Sequence, residues 1–88
     1  MGLTLRRSYL PFESRPSLIH GIGGFAIRDI AKGECFHFGL VVGFNGFNHS
    51  DNPNIYMGGK GSIRPIIALR DIVKDEELTL DYYRKVIP

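Results

Sequence analysis

The chain has 88 residues, 43% of them hydrophobic and 23% charged, which fits one small soluble globular domain with a modest core. A net charge of +2, with basic residues scattered and the pairs Arg6-Arg7 and Arg84-Lys85 at the two ends, excludes a phosphate-tracking surface; no direct nucleic acid binding is expected. Cys35 is the single cysteine, which excludes an internal disulfide and a cysteine-based zinc site, and His20, His37 and His49 do not stand at metal-ligand spacing. Met1 to Leu10 carries Arg6, Arg7 and Ser8 and no long apolar run, so it does not read as a signal peptide. No stretch approaches the roughly 20 apolar residues of a membrane span. The expectation is a soluble, intracellular protein that does not engage a membrane.

Eleven glycines and five prolines cut the chain into short segments, as in a mostly β protein. Residues 1–16 read as an N-terminal arm and 17–88 as the domain. Gly24 to Arg28 alternates, with Phe25 and Ile27 on one face, and Cys35 to Phe38 places Phe36 and Phe38 on one face. Leu40 to Phe44 is a short apolar run. Ile55 to Met57 and Ser62 to Leu69 flank Gly58-Gly59-Lys60-Gly61 and predict a hairpin. Pro65 cannot donate to a ladder, so it marks an edge or a bulge. No window sustains a 3.6-residue apolar period, and Ile72 to Leu80, the best helical candidate, is short and acidic; almost no helix is expected.

One repeat is clear. Ala26-Ile27-Arg28-Asp29-Ile30-Ala31-Lys32-Gly33-Glu34 returns as Ala68-Leu69-Arg70-Asp71-Ile72-Val73-Lys74-Asp75-Glu76. Each copy predicts a strand that turns at Asp, buries Ile in the turn, and reverses at Lys-Gly or Lys-Asp. Two similar hairpin corners packed on one core are therefore expected.

Three further segments stand out. His20-Gly21-Ile22-Gly23-Gly24-Phe25-Ala26 exposes backbone that a ligand could approach, although a tight turn before a strand explains it equally well. Phe47-Asn48-His49-Ser50-Asp51-Asn52-Pro53-Asn54 is a polar, self-bonding loop between apolar flanks, whose buried groups must be satisfied by the loop itself or by a ligand. Asp75-Glu76-Glu77-Leu78-Thr79-Leu80-Asp81-Tyr82-Tyr83 reads as a turn, a short strand and two tyrosines. Continuing the Leu78–Leu80 face, Tyr82 is expected to point inward and to need a hydrogen-bond partner.

Together these segments resemble the sequence marks of SET-domain lysine methyltransferases: a Gly-x-Gly-x-Phe-Ala stretch, a middle Asn-His-Ser-Cys-x-Pro-Asn stretch, and a final Glu-Leu-Thr-Tyr-Asp-Tyr stretch, with Arg-Asp-Ile-x-Lys-Gly-Glu corners. In order and kind the matches cover most of Ser17 to Tyr83. The resemblance implies a β-clip-like SET fold of short strands whose C-terminal segment passes under the middle loop as a pseudoknot. It implies S-adenosylmethionine (AdoMet) as methyl donor, held near Gly21, Ile22 and Gly23 and by Asn48 and His49, the last largely through backbone and packing. It implies Tyr82 as the catalytic tyrosine, Leu80 and Tyr83 in the substrate channel, and a lysine-containing protein or peptide as substrate.

The chain departs from the pattern at several places. Asp51 stands for the usual Cys, Asn45-Gly46 for Arg-Phe, and Leu80 for the aromatic two residues before the tyrosine. Leu80 leaves more room, so methylation past the first methyl is expected. Only Cys35 to Phe47 lies where the family carries a longer insertion walling the peptide groove, and no cysteine-rich zinc segment accompanies the final motif. With that insertion missing, Leu40 to Phe44 lacks a cover, and a homodimer with this run at its interface is expected. The alternative reading is a non-catalytic SET-like module that binds AdoMet or a protein. A second alternative, a SAF-type β-clip domain, shares the corners but lacks the Asn48–Asn54 segment.

Overall fold

Among the described residues the punctuated sequence forms seven short strands and no helix. The computed structural model describes residues 10–38, 46–59 and 64–83. The strands are β1 (Phe12–Pro16), β2 (Ile22–Ala26), β3 (Cys35–Phe38), β4 (Asn48–His49), β5 (Ile55–Met57), β6 (Arg64–Ala68) and β7 (Glu77–Leu80). They make two sheets, ordered β1-β2-β7-β4 and β3-β6-β5, in which every pairing is antiparallel except β4 with β7. The expected hairpin around Gly58 joins β5 to β6. Residues 12–16, read from sequence as arm, form β1 on the edge of the first sheet, with Pro11 and Phe12 buried.

The repeat builds this arrangement, and its two copies hold each other. Ile30 and Ile72 are each 1% exposed and exchange both backbone hydrogen bonds at 2.8 Å. The Lys32 N–H donates to Asp71 Oδ1 and the Lys74 N–H to Asp29 Oδ1, both at 2.8 Å. The N–H at the reversal of each corner donates to the strand before the other: Gly33 to the Ala68 carbonyl and Asp75 to the Ala26 carbonyl. The strand leaving each corner thus pairs with the strand entering the other, β3 with β6 and β7 with β2. The outer strands follow suit, since Phe12 on β1 lies opposite Ala26 and Ile55 on β5 lies opposite Ala68. Burying each corner isoleucine contributes roughly 1.5–3 kcal/mol.

The core lies between the sheets and consists of Phe12, Ala26, Ile30, Phe36, Phe47, Ile55, Ile66, Ala68, Ile72 and Leu78. Its geometry corrects the reading of β2. The strand starts at Ile22, and its buried face is Gly24 and Ala26, while Phe25 is half-buried with the Arg15 guanidinium 5.4 Å from its ring centre. The reason is room: a Cβ at Gly24 would lie 2.9 Å from the Phe47 ring and 3.1 Å from the Phe12 ring. Two aromatic rings from neighbouring elements, 5.0 Å apart, fill the space that small residues leave on this strand.

Pro65 also departs from expectation, since β6 is the central strand of its sheet. The Gly58 N–H donates to the Pro65 carbonyl at 2.9 Å, and the reciprocal bond would need the N–H that proline lacks. Arg64 Nε takes its place, donating to the Gly58 carbonyl at 3.0 Å. A side chain thus satisfies the ladder, and no edge or bulge is required. The run Leu40 to Phe44, expected at a dimer interface, lies outside the described residues.

Candidate functional site

β7 is the strand on which the candidate site is assembled. It lies between β2 and β4, and the loop of residues 47–54 runs along it: β4 pairs in parallel with Thr79 and Leu80, and the Ser50 N–H donates to the Leu80 carbonyl at 2.8 Å. Asn54, 1% exposed, pins the far end of the loop. Its Oδ1 accepts from the Thr79 N–H at 2.8 Å, and its Nδ2 donates to the Glu77 carbonyl at 2.8 Å and to Glu76 Oε2 at 3.2 Å. The C-terminal strand is therefore clasped by the middle loop, the pseudoknot expected of the family. The loop's buried polar groups are satisfied from within the protein, and among the described residues no buried side-chain polar atom lacks a partner.

Asn48 joins this loop to the glycine segment. Its Nδ2 lies 2.8 Å from Glu77 Oε2, 3.0 Å from Ser17 Oγ and 3.0 Å from the His20 carbonyl. Ser17 donates its hydroxyl to the Glu77 carboxylate at 2.8 Å and accepts the Ile19 N–H at 2.9 Å, shaping the turn before Gly21. Of the three predicted backbone residues, Gly21 and Ile22 face open space, Ile22 being 46% exposed. Gly23 is buried under the Glu77 carboxylate, with which a Cβ there would collide. Ser17 and Glu77 were not singled out in the sequence. A serine and a glutamate 60 residues apart carry no spacing signal, and only the β2–β7 pairing brings them together.

His49 holds the other side. The Tyr82 N–H donates to His49 Nδ1 at 3.1 Å, so the ring proton sits on Nε2, which faces Asp51 Oδ1 at 2.9 Å. Asp51, the residue in the family's Cys position, is thus the acceptor that fixes the ring. The imidazole packs against Tyr82 and Tyr83, with ring centres 5.2 and 5.1 Å away.

The expected inward tyrosine is instead half in the open. Tyr82 is 54% exposed, because β7 ends at Leu80 and the chain turns, so strand alternation does not carry through to it. Its hydroxyl donates to the Phe47 carbonyl at 2.6 Å. Its ring forms one wall of a pocket of about 390 Å³ lined by Pro53, Ile55, Met57, Leu69 and Leu80, with Tyr56, Arg64 and Asp81. Leu80 is one of the walls of this pocket. Tyr83, 78% exposed, is not among its walls and stands against His49. The structure brings Gly21, Ile22, Asn48, His49, Leu80 and Tyr82 into one continuous region, with the glycine turn on one side of Asn48–His49 and the pocket beyond Tyr82.

The remaining acidic groups serve the corners. A hydrogen bond from Arg28 holds the Glu34 carboxyl below the usual range against a smaller cost of burial, helped by the Ala31 N–H. Burial pushes the Glu76 carboxyl up, but bonds from Arg70, the Val73 N–H and Asn54 outweigh it and leave it lowered. Among the described residues no group of three His, Cys, Asp or Glu is placed to hold a metal ion, and no helix is long and apolar enough to cross a membrane.

Comparison with known proteins agrees with this layout. A search of curated protein sequences gives no match. A crystal structure from Plasmodium falciparum, of a protein provisionally named a histone methyltransferase, superposes with a TM-score of 0.66 at 19% identity, covering 85% of this chain and 99% of that one. At that identity the likeness speaks for the fold. The model of the SET domain matches residues 35–83, more than half of the chain, from β3 through the loop of residues 47–54 and β7 to Tyr83; the glycine turn at Gly21–Gly23 lies before it. With that match lying on the strands and the clasped loop that build the site, the chain belongs to the SET-domain family.

Proposed function

We propose that the protein transfers a methyl group from AdoMet to the side-chain amine of a lysine in a protein substrate. The observation that carries this reading is the position of Tyr82, between the region of Gly21, Ile22, Asn48 and His49 and the pocket that Leu80 lines. The residues fit the donor: the backbone at Gly21 and Ile22 is open, and exposed aromatic rings at Tyr82 and Tyr83 offer apolar faces for an adenosyl group. Gly21, Ile22 and the Asn48–His49 backbone would hold it, with the Asn48 amide serving as the internal brace and Gly23 as the place where Glu77 supports the turn. When bound, AdoMet supplies an electrophilic sulfonium methyl, open to in-line attack by an amine.

The chain's own residues would do the positioning. A lysine side chain entering the pocket passes Ile55, Met57, Leu69 and Leu80, whose apolar surface disfavours the ammonium form. A free lysine has a pKa near 10.4, so the neutral amine costs roughly 4–5 kcal/mol at neutral pH, and an apolar site lowers that cost. The Tyr82 hydroxyl donates its proton to the Phe47 carbonyl, which leaves its oxygen lone pairs to accept an amine N–H and aim the nitrogen lone pair. His49, fixed between Asp51 and the Tyr82 N–H, keeps that ring in place. No carboxylate–histidine pair acts as a base in this scheme. Leu80 carries no hydroxyl and leaves room for a partly methylated amine, so addition continues past monomethyl-lysine.

The test is lysine methylation of peptides, read by mass spectrometry. Wild type should methylate, and Tyr82→Phe should keep its fold and donor affinity while slowing transfer by on the order of 10²-fold. Equal rates in the two proteins would make Tyr82 a packing residue.

A further inference from the structure

The pocket beside Tyr82 carries one feature that lysine entry does not use. Its walls mix apolar and polar surface, and Arg64 of β6 is one of them. Arg64 is anchored: its Nε donates to the Gly58 carbonyl at 3.0 Å, filling the place of the N–H that Pro65 lacks. That bond fixes the plane of the guanidinium at little further cost in side-chain freedom. The two terminal nitrogens make no hydrogen bond or ion pair with any described residue. The other charge on the pocket wall, Asp81, stands at the end of β7 next to Tyr82, with Oδ1 accepting the Tyr83 N–H at 3.0 Å. The wall thus carries an engaged carboxylate and a tyrosine at one element and, at another, a guanidinium whose terminal nitrogens meet no described residue.

We infer that Arg64 is a specificity-determining residue, selecting lysines that carry an aspartate or glutamate close by in the same substrate chain. A planar fork whose terminal N–H groups meet no described partner matches a carboxylate in bidentate fashion. A basic flanking residue would leave the fork facing a like charge. Arg64 lines the same pocket that receives the lysine, so the acidic residue lies close to the lysine in the chain, within about three places at roughly 3.3 Å per extended residue. This rests on the methyl-transfer reading for its choice of lysine, while acidic recognition by Arg64 is a separate physical statement.

The experiment uses the full chain with AdoMet and labelled peptides bearing one lysine. Glutamate is placed in turn at each flanking position within about three residues, beside matched peptides with glutamine or arginine there. Binding is read by fluorescence anisotropy and methylation by mass spectrometry on the same set. At one or more positions the glutamate peptide should bind about tenfold tighter than its glutamine match. Arg64→Ala should erase that gap, and Arg64→Glu should turn the preference towards the arginine peptide, a reversal that mere loss of packing cannot produce. Arg64→Lys, which keeps the charge without the fork, should retain a reduced gap, and serves if the other variants do not fold. A wild type indifferent to the flanking charge, or a gap that survives Arg64→Ala, overturns the inference. Methylation without acidic preference sinks the inference and spares the enzyme reading. Acidic binding that depends on Arg64, with no lysine methylated, does the reverse.

Discussion

The two corners, residues 26–34 and 68–76, are built alike yet serve differently. Each buries one isoleucine, ties its Arg to its Glu (Arg28–Glu34 at 2.6 Å, Arg70–Glu76 at 2.7 Å), and lends its Asp to the other's Lys N–H. Each reverses through a left-handed residue, Gly33 at φ +87° in the first and Asp75 at +76° in the second. They part at the next strand. β7, leaving the second corner, is clasped by β4 and by Asn54, and Glu76 itself takes a bond from Asn54. Arg15 adds a tie from β1 to Asp75 at 2.9 Å. The scaffold is thus duplicated and the site is not: the candidate site hangs on one corner, and the other supplies its mirror support.

This comparison can be strained most heavily at the isoleucines. Ile30→Ala and Ile72→Ala should each lose about 2–5 kcal/mol, by similar amounts, in chemical denaturation. A large loss at one and a small loss at the other would mean that the corners do not share one interface. Next in size is Asn54→Ala, which has no counterpart in the first corner. It leaves the Thr79 N–H and the Glu77 carbonyl without their partner and should cost about 3 kcal/mol. It should also loosen the middle loop, seen as faster amide exchange at Ser50 and Thr79.

The smallest effect is with pH. Glu34 and Glu76 have lowered carboxyl pKa values in the folded state, so each contributes stability that is fully present above the unfolded-state value and is lost as pH falls through the folded one. Thermal midpoints should therefore fall on acidification below about pH 4.5. Glu34→Gln and Glu76→Gln should each flatten part of that fall, and only Glu76→Gln should also disturb the loop through Asn54. A midpoint that holds steady into acid would remove both ion pairs from the balance.

The corners were legible in the sequence because their signals are local: nine aligned places, a buried Ile, a reversal after Lys. That each corner grips the other was not, since nothing in Asp29 or Asp71 says which lysine N–H it will meet. The polar loop and the acidic strand carried the family's marks, and they come together as those marks imply. What they touch was hidden, because Ser17, Asn48 and Glu77 meet only through the pairing of β7 with β2 on one side and β4 on the other. The orientation of Tyr82 departs from strand alternation for a simpler reason. Period-two alternation ends with the strand at Leu80, and the turn that follows sets the ring at the surface, with its hydroxyl on the Phe47 carbonyl. The small residues of β2 likewise gave no sign that rings from Phe12 and Phe47 would fill their face.

The most direct measurement is a calorimetric titration of the folded protein with AdoMet. Wild type should release or absorb heat with a micromolar to sub-millimolar Kd. Asn48→Ala, which removes the brace between the glycine turn and Glu77, should weaken binding by about 1–3 kcal/mol. A wild-type protein that unfolds cooperatively, yet gives no heat and no thermal shift with millimolar AdoMet, would contradict the assignment of Gly21, Ile22, Asn48 and His49 as a donor site.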